Sequence, residues 1–422
     1  MKEDFLHYLW KFQKFPKNRL RSSHGEEIRI YKPGIHNTQA GPDFLNASMK
    51  IGSQLWAGNV EIHIRSSDWY AHNHETDSNY DAVILHVVWE HDVEVYGKHG
   101  LAVPTLTLKN LTSSDMLDGY SRLMSGMHRW IPCEDRIGEV DTLQMESWLM
   151  RLYIERLERK AVDIQTELRA SNNHWEATLF KLLARSFGSG INGESFTSMA
   201  TSFDFTIVQK LNEPFDLEAL FMGQSGMLES EIEDGYYRSL QERYSYLKRK
   251  YTLRNESVEA PSFFRLRPTN FPTIRLSQLA QLYARSDGLF SKLMHAGDID
   301  ELFALLSVKA GPYWSGHYNF GVSSWNSMRS LSGPFKELVI INAILPLRFC
   351  YAGYLGRDDS DSIISIISSI PSEKNSIVNK FRAVCEAPGN AMVSQAFIQL
   401  KKEYCEHRKC LQCAVGNHLL KQ

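Results

Sequence analysis

The stretch Gly58-Asn59-Val60-Glu61-Ile62-His63-Ile64-Arg65-Ser66-Ser67-Asp68-Trp69-Tyr70-Ala71-His72-Asn73-His74-Glu75-Thr76-Asp77 decides how the N-terminal part of this chain is read. From Val60 to Arg65, apolar and ionisable residues alternate. Side chains of a strand leave on opposite faces with period two. Val60, Ile62 and Ile64 are therefore expected on one face, and Glu61, His63 and Arg65 on the other. A merely solvated face has no need of a Glu and a His followed closely by the histidine pair His72 and His74. Upstream, Gly41-Pro42-Asp43 introduces another strand. Downstream, Val83 to Trp89 is an apolar run broken only by His86, which suits a strand buried on both faces.

Further strands are expected at Ile28–Tyr31, Ala47–Ile51, Trp56–Ile64, Ala82–Trp89 and Leu106–Leu108. Turn signals separate them at Pro33-Gly34, Gly41-Pro42, Gly52-Ser53 and Gly97 to Gly100. A short aromatic helix precedes them, with Phe5, Tyr8, Leu9 and Phe12 at helical spacing and Pro16 as its stop. After Trp130-Ile131-Pro132-Cys133 the pattern changes. Thr142 to Ala170 carries apolar residues at the period of an amphipathic helix, and helical segments follow at Trp175–Phe187, Glu218–Gly223, Asp234–Lys250, Leu276–Ser286, Ile299–Leu306, Phe335–Arg348 and Ala391–Tyr404. Ser360 to Ser372 fits either a helix or a loop. The expected organisation is an α/β domain with a mixed sheet over residues 1–135 and a large all-α domain over 136–422.

Whole-chain properties set mild bounds. With 422 residues the chain can hold two or three domains, and 23% charged residues are those of an ordinary soluble protein. A net charge of −2 leaves no overall electrostatic footprint for nucleic acid, so any basic surface is local, and tight non-specific binding to DNA is disfavoured. No run reaches the roughly 18 apolar residues of a membrane helix, and the first ten residues mix charge with apolar groups rather than forming a signal peptide. No membrane partner is therefore expected, and the cytoplasm is the default location.

An Asp before one strand and a Glu-x-His near the end of the next is the order used by metal-dependent nucleases. Phosphodiester hydrolysis needs carboxylates to hold a divalent cation and a basic or cationic group to orient the attacking water. Asp43 and Glu61 would be ligands of Mg²⁺ or Mn²⁺, with His63 or Arg65 placing the water or stabilising the phosphate. On these residues the segment resembles the core of the PD-(D/E)XK nuclease superfamily. The resemblance implies a restriction-endonuclease-like sheet of four mixed strands flanked by helices, acting on DNA. His63 stands where that superfamily carries a lysine. Glu26 or Glu27 is the expected counterpart of its helical glutamate.

Over nearly its whole length the chain more closely resembles an uncharacterised bacterial family, domain-of-unknown-function family 2851. The phrases that carry this are G-I-H-N-T-Q-A-G-P-D-F (34–44), G-N-V-E-I-H-I-R-S-S-D-W-Y-A-H-N-H (58–74), R-L-R-P-T-N-F-P-T-I-R (265–275) and the terminal cysteine cluster.

Three other groups point to chemistry. His72 and His74, two apart in an extended segment, would point the same way and reach one Zn²⁺, Mn²⁺ or Fe²⁺ ion, as in a His-ligated hydrolase or oxygenase. Alternatively they lie on a polar loop. His86, inside its apolar strand, reads as a hydrogen-bonded core histidine. In Cys405-x₄-Cys410-x₂-Cys413, the Cys410-x₂-Cys413 pair has the spacing of half a Zn²⁺ site or part of an iron–sulfur site, and with Cys405 as a third ligand the candidates for the fourth are His418 and Cys133. Some PD-(D/E)XK nucleases join distant segments through an iron–sulfur cluster in this manner. Arg265, Arg267 and Arg275, set around Pro268, could present planar donors to phosphates or lock neighbouring helices together. A protein that kept a nuclease-like sheet only as a binding scaffold is the alternative reading of the whole.

Overall fold

In the computed structural model, which describes residues 1–125, 129–285 and 287–420, the expected strands join a single seven-stranded mixed sheet. Its strands are β1 (Leu20–Arg21), β2 (Glu27–Lys32), β3 (Ile35–His36), β4 (Phe44–Ile51), β5 (Gln54–Arg65), β6 (Val83–Glu90) and β7 (Thr105–Thr107). They lie in the order β1-β2-β4-β5-β6-β7, with β3 paired to β4. The β2, β4 and β5 neighbours are antiparallel, whereas β5, β6 and β7 run parallel.

Local chemistry explains the change of direction. β4 and β5 are joined by the two residues Gly52-Ser53, with Gly52 at φ +60°, a conformation that favours glycine in a tight hairpin. β5 and β6 are separated by a longer crossover that contains the short helix α2 (Asp68–Ala71), as a parallel pair requires.

Helix α1 (Glu3–Lys11) covers one face of the sheet. It buries Phe5, Leu6, Leu9 and Trp10 completely, and the Trp10 indole N–H donates to Pro33 O at 2.9 Å. It is shorter than the Met1–Phe15 segment expected from its aromatics: Phe12 is its C-cap and Gln13 takes φ +48°. Strand β5 is buried on both faces near its end. Val60 and Ile62 are fully buried, and so, almost, are Glu61 and His63, while Arg65 at the end is exposed. The expected polar face is therefore an interior one.

The chain divides into two compact units. One comprises Met1–Glu146 together with Arg382–Glu386 and Leu400–Gln422; the other comprises Ser147–Phe381 and Ala387–Gln399. The expected division after residue 135 followed the change of periodicity along the chain. The C-terminal segment, with its cysteines, instead belongs to the first unit, because compactness follows contacts that need not be sequential.

Among its described residues, the regular elements of the second unit are helices apart from the small hairpin His317–Asn319 with Val322–Ser323. Helices over Trp175–Thr201, Pro214–Gln224, Gly235–Tyr251 and Pro272–Arg285 bury Phe180, Phe187, Phe196, Phe221 and Tyr237. Ser360–Ser369, open in the sequence, is a helix. The expected single helix over Phe335–Arg348 is three consecutive pieces, Gly333–Val339, the π-helical Ile340–Ile344 and Leu345–Tyr354, with Pro346 in the first turn of the last. Ser286, the expected end of one helix, lies outside the described residues.

Gly58 is the point of closest approach between β5 and β6. A Cβ there would come within 2.5 Å of both Ala82 O and Ile84 Cγ2. Gly58→Ala is expected to lower stability by about 1–3 kcal/mol through overpacking, measured as a reduced urea midpoint with unchanged slope.

Candidate metal centre

Asp43 ends a loop that is pinned by its own backbone. The Asn37 N–H donates to Asp43 O at 2.7 Å, the Asn37 amide donates to Ala40 O and Pro42 O, and Gly41 takes φ +101°. Pairing of Phe44 with Val60 across β4 and β5 then sets Asp43 beside Glu61. The two carboxylates are locked by reciprocal backbone bonds: Asp43 N–H donates to Glu61 Oε2 at 3.1 Å, and Ile62 N–H donates to Asp43 Oδ2 at 2.9 Å. Each bond consumes one oxygen, and Glu61 Oε1 is left facing the histidines.

Those histidines come from three elements. His63 follows Glu61 by two residues on β5. His86 stands opposite Glu61 in the parallel ladder with β6. His72 is the C-cap of α2, and His74 follows after Asn73 at φ +59°. The expected extended His-x-His segment is thus a turn, and convergence arises from the end of α2 and the left-handed Asn73.

The ligand atoms of His63, His72 and His74 all lie within 4.8 Å of one another. Glu61 Oε1 is 3.5 Å from His63 Nε2 and 3.3 Å from His74 Nε2. His63 Nε2 is also 3.1 Å from His72 Nδ1. His63, His74 and Glu61 are buried, and His72 is exposed, so the cluster reaches the surface on one side.

A supporting shell fixes these rings. His63 Nδ1 lies 2.8 Å from His86 Nε2, which leaves His63 Nε2 directed at Glu61 and His72. Tyr80 stacks on His74 with ring centroids 3.7 Å apart, and Trp69 meets His74 edge-on at 5.4 Å. From α1, His7 brings Nε2 to 3.3 Å from Asp43 Oδ2. Glu3, one helical turn earlier, is close enough to feel the Asp43 charge. Glu3, His7 and Tyr80 carry no strand or motif signal in the sequence. The i, i+4 spacing of Glu3 and His7 on a short helix was the available clue. Glu26 and Glu27, the candidates for the helical glutamate of the nuclease resemblance, lie just before and at the start of β2.

Burial dominates the electrostatics. It raises the Glu61 pKa to about 9, with help from the Asp43 charge. It lowers His63 to about 3, assisted by His74 and His72, and it lowers His74 and, further, His86. For His7, burial acts downward, yet the adjacent Asp43 outweighs it and the imidazole pKa rises. Without a cation, Glu61 is a protonated acid beside the neutral imidazoles of His63, His74 and His86. Among the described residues, neither His74 nitrogen has a hydrogen-bond partner although both are buried. Orphaned nitrogens beside a carboxylate oxygen and two further imidazoles fit a divalent ion such as Zn²⁺, Mn²⁺ or Fe²⁺, which accepts mixed imidazole and carboxylate ligands.

The remaining sequence candidates fall elsewhere. Cys133, Cys405, Cys410 and Cys413 line one cleft of the first unit. His418 instead directs Nδ1 to Gln144 Oε1 at 2.8 Å. In the second unit Arg275 is buried, donates to Asn270 and Gln278, and stacks over Phe335 with its guanidinium 3.5 Å from the ring centroid. Arg265 and Arg267 are exposed. Arg275 thus packs its unit together, and does so through amides and a ring rather than through carboxylates. Trp314, in the same unit, is fully buried and donates to the buried carboxylate of Glu218 at 3.0 Å.

The opposed shifts give the metal-free protein a pH signature. His63 enters the fold neutral, so stability is lost as pH falls from about 6.5 to about 3. Glu61 enters it protonated, so stability is lost as pH rises from about 4.5 to about 9. Thermal melts of metal-free wild type and Glu61→Gln should differ in the alkaline limb, which the amide removes. Identical limbs would contradict a protonated Glu61.

Comparison with known proteins adds a family and no activity. No curated protein and no solved structure matches the chain. The family described as "Protein of unknown function (DUF2851)" matches residues 3–376, and the chain belongs to it.

Proposed function

We propose that the first unit is a metal-dependent phosphodiesterase acting on DNA, built on a restriction-endonuclease-like sheet, with its ion held by Glu61, His63, His72 and His74. The observation that carries this reading is the convergence of Glu61 Oε1 with three imidazoles at one partly open point. The nuclease-like order supports it: Asp43 immediately before β4, Glu61 and His63 near the end of β5, then a helix and a parallel strand.

His63 takes a different part from the lysine of such cores. Its ring is neutral and held between His86 and His72, so it serves as a ligand rather than a cation. Three imidazoles shift the metal preference from Mg²⁺, which favours oxygen ligands, toward Mn²⁺, Zn²⁺ or Fe²⁺. When bound, such an ion polarises a phosphoryl oxygen and acidifies a coordinated water.

Protein groups supply the rest. Asp43 orients His7 and raises its proton affinity, so His7 can offer a proton beside the site. Arg65 ends the strand exposed, where a substrate phosphate can meet a guanidinium. The Asp43–Glu61 clasp keeps both carboxylates in place without spending Glu61 Oε1.

Cleavage of duplex and single-stranded DNA by the full chain should be assayed with Mg²⁺, Mn²⁺ and Zn²⁺. Glu61→Gln and His72→Ala are each expected to reduce the rate about 100-fold or more. Arg65→Ala is expected to weaken DNA binding and to lower its salt slope by about one. Metal bound at the histidines without cleavage of either DNA would overturn the phosphodiesterase and leave another His-ligated hydrolase or an oxygenase. Neither metal nor cleavage would leave a binding scaffold.

A further inference from the structure

We propose that Cys133, Cys405, Cys410 and Cys413 form a second metal centre in the first unit, a four-thiolate site for a thiophilic metal. This inference is independent of the reaction assigned to the histidine cluster. The four cysteines line one cleft whose other walls include Leu123, Pro132, Ile137, Leu400 and Val415. They come from positions about 270 residues apart in sequence, and none of the six cysteines of the chain forms a disulfide.

Cys410 and Cys413 are buried. Crowding of sulfurs in an apolar cleft has no packing rationale of its own, since an apolar side chain would fill the space as well. Four thiols lining one cleft are the number and chemistry that a four-thiolate site requires. Burial, and then the neighbouring thiols, push the Cys133 and Cys405 pKa values up, and Cys410 rises to about 12. A coordinated metal reverses that logic by deprotonating each thiol outright.

The backbone is shaped to bring the trio together. Arg408 takes φ +52°, and the turn Cys410–Gln412 closes with Cys413 N–H donating to Cys410 O. Gly416 packs directly on that turn: a Cβ there would overlap Cys410 O. Lys401 and Arg408 favour the thiolate forms of Cys405 and Cys410, and Lys409 lines the cleft, so part of the negative charge of four thiolates is offset. Lys401 also pairs with Glu406 at 3.4 Å.

The fourth ligand is Cys133 rather than His418. Cys133 shares the cleft, whereas His418 Nδ1 is directed at Gln144. Cys385 acts on Cys133 more weakly than Cys413 and Cys410 do, and lines a separate cleft with Ile137 and Val140. The same thiolate chemistry serves Zn²⁺ or an iron–sulfur cluster.

The test uses the full chain made metal-free under anaerobic conditions. Co²⁺ is added in one arm, as a coloured probe for a Zn²⁺ site, and ferric iron with sulfide and a thiol reductant, which reduces part of the iron, in the other. A thiolate-to-cobalt charge-transfer band, or a broad visible absorption with acid-labile sulfide, is expected in wild type. Either should be retained in His72→Ala and lost in Cys133→Ala. The first band alone identifies a zinc site, the second an iron–sulfur site. Should Cys133→Ala fail to fold, alkylation of wild type replaces it. Metal should then protect Cys133, Cys405, Cys410 and Cys413, but leave Cys350 unchanged. Absence of both spectra, with alkylation indifferent to metal, would overturn the proposal.

Discussion

The parallel pairing of β5 with β6 forces a carboxylate and two imidazoles into the protein interior. The register that sets Glu61 opposite His86 leaves His63 one pleat further along, between its ring neighbours and beyond the reach of bulk water. A buried charge without a partner is costly, and the groups respond by staying neutral: Glu61 keeps its proton and the imidazoles lose theirs. A divalent cation, as proposed for this site, would resolve the same constraint differently, by supplying the charge that an ionised Glu61 requires. Much of the first unit can be read as the frame that makes this possible.

That frame works by removing freedom. The reciprocal bonds between Asp43 and Glu61 use backbone donors on both sides, so neither carboxylate can rotate without leaving an N–H unpaired. His86 restrains His63, and the Tyr80 and Trp69 rings fix the plane of His74. Trp69 belongs in turn to a small core with Val95 and Val103. The turn that carries His72 and His74 is thereby attached to packed apolar residues. Preorganised ligands of this kind lose little entropy when an ion binds.

In the second unit a buried carboxylate is held by side-chain donors. Glu218 accepts from Ser277, from Tyr236 at 2.6 Å and from Trp314 at 3.0 Å. Its oxygens are fully used by neutral donors, which satisfy it as part of a core. Glu61 differs in having an oxygen that faces imidazole nitrogens rather than committed donors. The contrast separates a structural acid from a candidate ligand by the partners of its oxygens, not by burial, since both are buried.

By itself the sequence determined what depends on local periodicity: the strands at Ala47–Ile51, Trp56–Ile64 and Ala82–Trp89, the long helix over Thr142–Ala170, and the grouping of Glu61 and His63 on one side of β5. Alternation and helical spacing are properties of neighbouring residues, so they survive without knowledge of the fold. The family, too, was legible, because its phrases are contiguous. Only the tertiary structure decided that the face of β5 carrying Glu61 is interior, that His72 and His74 converge through a turn rather than a strand, and that Glu3 and His7 of α1 join Asp43. It also decided that Cys133 rather than His418 shares the cleft of the terminal cysteines, and that Arg275 is buried while Arg265 and Arg267 are exposed. These outcomes rest on strand register, helix docking and contacts between residues far apart in the chain. Local pattern carries no information on those distances.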